Sequence, residues 1–318
     1  MKQINFRAMN TEIMVQVSDD ISHDDVHWED LVRAQFYQVE SMASRFIPES
    51  ELSRWNASPV GIQFPVSKGM FQLLAEAWEL AIATNFKFNP FIGSKLQELG
   101  YDRSFELLES VTGEFECIPV ETDAADSVFS DFDALILNLN DHTVVKNYDA
   151  KVDLGGIGKG WAVDRTYHLL KDQMHASSGA IDAGGDMMLW NEQTPWEVGI
   201  QHPTEEDQEI IQLWVKRAGI ATSNVLYRRW RHHERVQHHI LDGQTFKPAA
   251  SDIVQATVLG PTVASAEVAS KVICMLTADE VNGWMASHFP GYGYVLVTRN
   301  GEIKLNREVR DFVEELLW

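Results

Sequence analysis

Residues 152 to 164 read VDLGGIGKGWAVD, and this stretch restricts the local chain more than any other. Four glycines lie within the six positions 155 to 160. Inside a helix or strand each would cost roughly 0.5–1 kcal/mol relative to Ala in lost backbone freedom, so the segment reads as a turn. ALILNLN and TVVKNYD before it have strand character, and RTYHLLKDQM after it has helical spacing. A strand-to-helix turn presents free backbone N–H groups at a helix N-terminus, where anions are attracted. Lys159 adds a positive charge there. The pattern is not a Walker A loop, because Asp153 stands at its first glycine and Gly160 at its Ser or Thr. Nor does Gly156-x-Gly158-x-Gly160 fit the dinucleotide fingerprint. On the turn alone, a structural bend and a phosphate site are both open.

Net charge sharpens the question. At -21, the chain repels nucleic acid and anionic membranes, and neither is expected as a partner. A phosphorylated ligand would need a local patch of donors, lysine or metal. The two cysteines, Cys117 and Cys274, are far apart and lack metal-ligand spacing, so they read as core thiols. No apolar run is long enough to span a bilayer, and MKQINFRAMNTEIMVQV alternates like a strand, unlike a signal peptide. A cytoplasmic location is expected.

The coarse pattern starts with a strand over residues 4 to 17. An amphipathic helix over HDDVHWEDLVRAQFYQVESMASRF follows, then a capped short helix or turn in PESELSRWNAS and a core helix in SKGMFQLLAEAWELAIATN. Residues 101 to 132 are acidic and read as a surface excursion. Mixed strands and a helix from about Ala264 to Met275 complete the chain. Strands and helices without regular alternation predict an α+β (mixed α/β) fold, with mixed sheets flanked by helices in a single domain over 1–318.

Two further clusters carry chemistry-bearing residues. SSGAIDAGGDMM places Gly184 and Gly185 before Asp186, the pattern of a hairpin or bulge. RRWRHHERVQHHILDGQTFKP holds His232, His233, His238 and His239 with Asp242. Adjacent histidines on a strand face opposite ways, so at most one of each pair can serve a given site.

In order, AMNTEIMV, PESELSRWN, VDLGGIGKGWAVD, AGGDMMLW, ATSNVLYRRW, HHILDGQT and ASAEVASKV resemble the ApbE family of flavin transferases, from about Met9 to Cys274. The resemblance implies FAD as substrate, Mg²⁺ at its pyrophosphate, and transfer of FMN to a Thr or Ser hydroxyl of an acceptor flavoprotein with release of AMP. By position it implies that Met9 and Phe46 flank the isoalloxazine ring, with Phe46 where the family often has Tyr. Lys87, Phe88 and Asn89 wrap the flavin, Asn89 replacing a usual Asp. Asp153 and Lys159 contact FAD, and Leu241 gives an apolar contact. His239 falls at the family's His-x-x-Asp run as a candidate general base, since an imidazole of reference pKa about 6.5 is available in neutral form at pH 7.

The implied metal site departs from the family. A backbone carbonyl, here Gly156, is joined in the family by an Ala-Asp-x-x-Ala-Thr helix start. AEVASK places Glu267 at the Asp and Lys271 at the Thr. Glu can ligate Mg²⁺, but an ammonium cannot. Either Lys271 puts its own charge where the cation would sit, or a shifted helix lets Ser270 supply the oxygen. A non-catalytic flavin-binding relative and an FAD pyrophosphatase are the alternative functions.

Overall fold

The segment expected as one strand over residues 4 to 17 is two. The computed structural model describes residues 1–21, 27–108, 110, 129–205, 207–233 and 235–318. In it β1 (Lys2–Ala8) and β2 (Thr11–Val17) pair antiparallel, with Ala8 opposite Thr11. Met9 and Asn10 form the turn at φ 52° and 63°. Two successive left-handed residues give a hairpin turn whose twist suits the flanking strands. The buried alternation changes phase at this point, from Ile4 and Ala8 to Ile13, Val15 and Val17. The hydrophobic Met9 and Met14 hide that change in the sequence.

Two compact units are built from interleaved segments. The first comprises Met1–Glu40, Ile157–Asn224 and Asp252–Trp318, and the second Ser41–Gly156 and Val225–Ser251. After β1 and β2, α1 (Trp28–Ala43) leads the chain into the second unit. There follow α2 (Glu51–Ala57), β3 (Phe64–Pro65), α3 (Lys68–Ala83), α4 (Gly93–Glu98), β4 (Leu135–Asn138) and β5 (Thr143–Lys146). The first unit resumes with α5 (Gly158–His168), β6 (Ser178–Ala183), β7 (Met187–Asn191), β8 (Trp196–Gln201), β9 (Glu209–Val215) and β10 (Arg217–Asn224). The second regains β11 (Arg229–His232), β12 (Arg235–His238), β13 (Leu241–Asp242) and β14 (Lys247–Pro248). The first ends with β15 (Ile253–Gly260), α6 (Val263–Ile273), α7 (Val281–His288), β16 (Gly293–Thr298), β17 (Ile303–Leu305) and β18 (Val313–Leu317). This is the mixed helix-and-sheet architecture expected. Cys117 and most of the acidic excursion lie outside the described residues, while Cys274 is buried, which pushes its thiol pKa up to about 12.

In the first unit an eight-stranded sheet runs β1-β2-β6-β7-β10-β15-β16-β17, and a three-stranded sheet runs β18-β9-β8. β10 shows how the layers meet, because alternate residues face opposite ways. Ala218 and Ile220 join Ile211, Leu213, Val215 and Leu259 in the core with the small sheet. Gly219 faces α6, where a Cβ would lie 2.5 Å from the Thr262 carbonyl carbon. Helix α6 is buried at every position from Val263 to Ile273 except Lys271.

Helices α5 and α6 cap each other. Neither Ile157 nor Thr262, their N-cap residues, makes a side-chain capping bond. Asp164 of α5 instead accepts from the N–H groups of Val263 and Ala264, each at 2.9 Å. Glu267 of α6 returns the favour, its Oε2 accepting from the Gly160 N–H at 2.8 Å. Each carboxylate satisfies donors that helix geometry leaves free and meets the positive end of a macrodipole. The helices approach this closely because Gly160 has no side chain, a Cβ there falling 2.7 Å from Ala264 Cα. Gly160 therefore serves helix packing, so the glycines of the motif do not all serve ligand approach. Asp164→Ala should lower the unfolding free energy of the first unit by about 1–2 kcal/mol. Urea unfolding compared with the parent measures it, and an unchanged midpoint would refute the capping role.

In the second unit β3-β5-β4 form a small sheet, and β11-β12 and β13-β14 are hairpins. Ser50 caps α2 as expected, accepting from the Ser53 N–H at 2.9 Å. Asn56 satisfies a backbone donor farther along the chain. Its amide exchanges two 2.8 Å bonds with the backbone of Val152, pinning the segment that leads into the glycine-rich turn. Among the described residues no helix is long and apolar enough to cross a membrane.

Candidate functional site

Within the first unit, Lys159 faces two carboxylates. Its ammonium pairs with Asp186 and lies 3.3 Å from Glu267 Oε1. The three side chains are 17%, 3% and 6% exposed, so the cluster is shielded from water and its charges depend on one another. Asp186 reaches it because Gly184 and Gly185, at φ 70° and 92°, turn the chain sharply between β6 and β7. Asp182 accepts from the Gly185 N–H at 2.8 Å and braces this turn. Burial pushes its carboxyl pKa above the usual range, against the lowering pull of the Gly185 N–H and of Lys159. At the tip of the first hairpin, the Met9 N–H donates to Glu40 Oε1 at 2.9 Å. Its side chain reaches the start of α5, where a Cβ on Gly158 would sit 3.6 Å from Met9 Cε.

Glu267 and Lys271 stand four apart on α6 and so share a face. Ser270 points elsewhere: its hydroxyl bonds the Ser223 hydroxyl at 2.9 Å and donates to the Glu267 carbonyl at 3.0 Å.

Within the second unit, the candidate residues form two connected groups. Asp153 holds the glycine-rich turn through the Gly155 N–H at 2.7 Å and is itself paired with Arg45. Gly156, buried, ends this segment. The Arg45 guanidinium stands 4.2 Å from the Phe46 ring centroid and 4.7 Å from that of Tyr101, and donates to the Tyr101 carbonyl at 2.7 Å. Phe46 is 38% exposed, so it offers one side of a ring-stacking platform. Burial raises the Tyr101 phenol pKa, despite the nearby Arg228. Sequence reasoning missed Arg45, although it precedes Phe46 directly.

The second group is a clamp. Lys87 pairs with Asp242 at 3.0 Å, and the Gly243 N–H donates to the Lys87 carbonyl at 2.9 Å. Asn89 donates to the Gly243 carbonyl at 3.0 Å and accepts from the Phe91 N–H at 2.9 Å. Gly243 is required here, since a Cβ would lie 2.5 Å from the Phe86 carbonyl oxygen. Phe88 and Leu241 are buried, Leu241 in a cluster with Tyr101 and Trp230. Leu241 and Asn89 therefore act as scaffold for the surrounding backbone.

The adjacent histidines do not alternate along a strand: His233 and His239 lie just beyond β11 and β12, and the His232 and His233 rings meet at 4.1 Å. His238 is buried, donating through Nε2 to the Ala249 carbonyl at 3.2 Å and accepting at Nδ1 from the Ile240 N–H at 3.3 Å. Accepting at Nδ1 fixes the Nε2-protonated, neutral tautomer. His239, half-buried, lies between β12 and β13.

A divalent cation does not fit the side chains of the first unit. Both Glu267 oxygens are engaged, one by the Gly160 N–H and one by Lys159. An ammonium occupies the following turn at Lys271. Among the described residues, no group of three His, Cys, Asp or Glu side chains is placed to hold a metal ion.

The first unit thus carries a lysine among buried carboxylates after a glycine-rich turn, and the second a half-exposed ring beside an arginine and a His-x-x-Asp run. The ApbE family model matches residues 9–296, and the chain belongs to that family. It is 25% identical over 300 residues to the FAD:protein FMN transferase of Treponema pallidum, covering 88% of this chain and 79% of that protein. It is 24% identical to the FAD:protein FMN transferase of Salmonella typhimurium, over 74% and 67% of the two chains. The fold is similar to the ApbE protein of Thermotoga maritima, with TM-score 0.80 and 21% identity over 99% of both chains. It is also similar to the flavin transferase ApbE of Vibrio cholerae, with TM-score 0.76 and 18% identity over 98% and 99%.

Proposed function

We propose that this protein transfers FMN from FAD to a Thr or Ser hydroxyl of an acceptor flavoprotein and releases AMP. The observation that carries the reading is the family match over residues 9–296, which runs through both units and includes the Lys159 cluster. That continuity also supports treating residues 1–318 as one functional domain. Met9 and Phe46 supply apolar and aromatic faces for the isoalloxazine ring. Lys87, Phe88 and Asn89, held by the clamp at Asp242 and Gly243, shape the wall beside it, with Leu241 behind. Asp153 orders the turn that approaches the ligand, and Lys159 offsets pyrophosphate charge.

In the reaction the acceptor hydroxyl oxygen bonds to the phosphorus of the FMN half, while the bond from that phosphorus to the bridging pyrophosphate oxygen breaks. His239 takes the hydroxyl proton, and the leaving oxygen departs with AMP. Positioning and charge neutralisation dominate such a phosphoryl transfer. The departures at Glu267 and Lys271 give no place in this scheme to Mg²⁺.

Intact mass of a threonine-bearing acceptor flavoprotein domain, incubated with this protein and FAD, tests the reading. A gain of one FMN with equimolar AMP is expected. AMP release without acceptor would instead identify a pyrophosphatase, and FAD binding without either product a non-catalytic relative.

A further inference from the structure

Lys159 pairs with Glu267, and Lys271 follows four residues later on the same helix. The Lys159 ammonium bonds one Glu267 oxygen, the Gly160 N–H holds the other, and Lys271 stands one helical turn on. The same Lys159 ammonium pairs with Asp186, so one lysine faces two carboxylates, and Lys271 adds a second positive residue one turn along α6. We propose that these lysines replace a divalent cation in this chain, so that it binds the FAD pyrophosphate without metal. The inference rests on the flavin-transferase reading.

Three features carry it. Glu267 is committed to capping α5, and withdrawing it toward a metal would reopen the end of a buried helix. Mg²⁺ demands near-octahedral oxygen ligation at about 2.0–2.1 Å, whereas the side chain next on this face is an ammonium. Lys271 is the one residue of α6 that is not buried, while the rest of the helix is packed. An ammonium lacks a metal's multidentate geometry but still offsets phosphate charge in a strongly acidic protein.

The test is FAD affinity of the full chain by flavin fluorescence quenching, in excess MgCl₂ and in EDTA. The two dissociation constants should agree within about threefold, well under one decade of affinity. Lys271→Thr should bind about tenfold more weakly in EDTA, since the change removes a charge. Mn²⁺ titration followed by electron paramagnetic resonance, with FAD present, should show no tight site in the parent. FAD binding by the parent only with Mg²⁺, a tight Mn²⁺ site in the parent, or a Lys271→Thr variant that behaves like the parent would overturn the proposal while leaving the flavin reading intact. No FAD binding in either buffer would overturn both.

Discussion

Replacing Lys159 by methionine is expected to lower the unfolding free energy by about 3–5 kcal/mol, the usual cost of removing one partner from a buried ion pair. Asp186 and Glu267 would then face each other's charge with little solvent to screen it, being 3% and 6% exposed. Glu267 also caps α5, so the damage should spread to the α5 and α6 pair. Urea unfolding at pH 7 measures the loss. Glu267→Gln in the Lys159→Met background should recover part of it, because Gln keeps an oxygen for the Gly160 N–H and removes a stranded charge. A loss under about 1 kcal/mol, the range of exposed pairs, would show that water reaches the cluster freely.

That cluster also marks the limit of what the sequence revealed. The glycine-rich turn, the helix after it and the charge on Lys159 were legible locally, because entropy and periodicity act over a few residues. The partners of Lys159 were not, since Glu267 is 108 residues away and meets it through packing of α5 on α6. Gly160 and Asp164 were legible as motif positions but not as a packing contact and a cap, because both roles depend on α6. Arg45 was hidden for the same reason, its partner Asp153 also lying 108 residues on. By contrast, a capped start for α2 was recognisable from its own neighbours, while the bend that takes His239 out of β12 was not. The fold class followed from element pattern, while its division into two interleaved units did not, because chain crossings leave no local trace.

The separation of the histidines supports the second large effect. His239→Ala should reduce FMN transfer by roughly 10²–10⁴-fold, the usual worth of a positioned general base, while FAD affinity stays within about threefold of the parent. Its neighbour gives the contrast. His238 is buried and bonds both the Ala249 carbonyl and the Ile240 N–H, so His238→Ala should unsettle the hairpin and lower stability by about 1–3 kcal/mol. Time courses of acceptor mass, set beside FAD titrations and urea midpoints for both variants, separate a chemical role from a structural one. Transfer by His239→Ala at near-parental rate would remove the histidine from the reaction. Equal loss of affinity and rate would make it a ligand-binding residue. A large rate loss with intact binding and folding is the signature of a proton acceptor, and it would place the reacting hydroxyl of the acceptor protein beside the loop between β12 and β13.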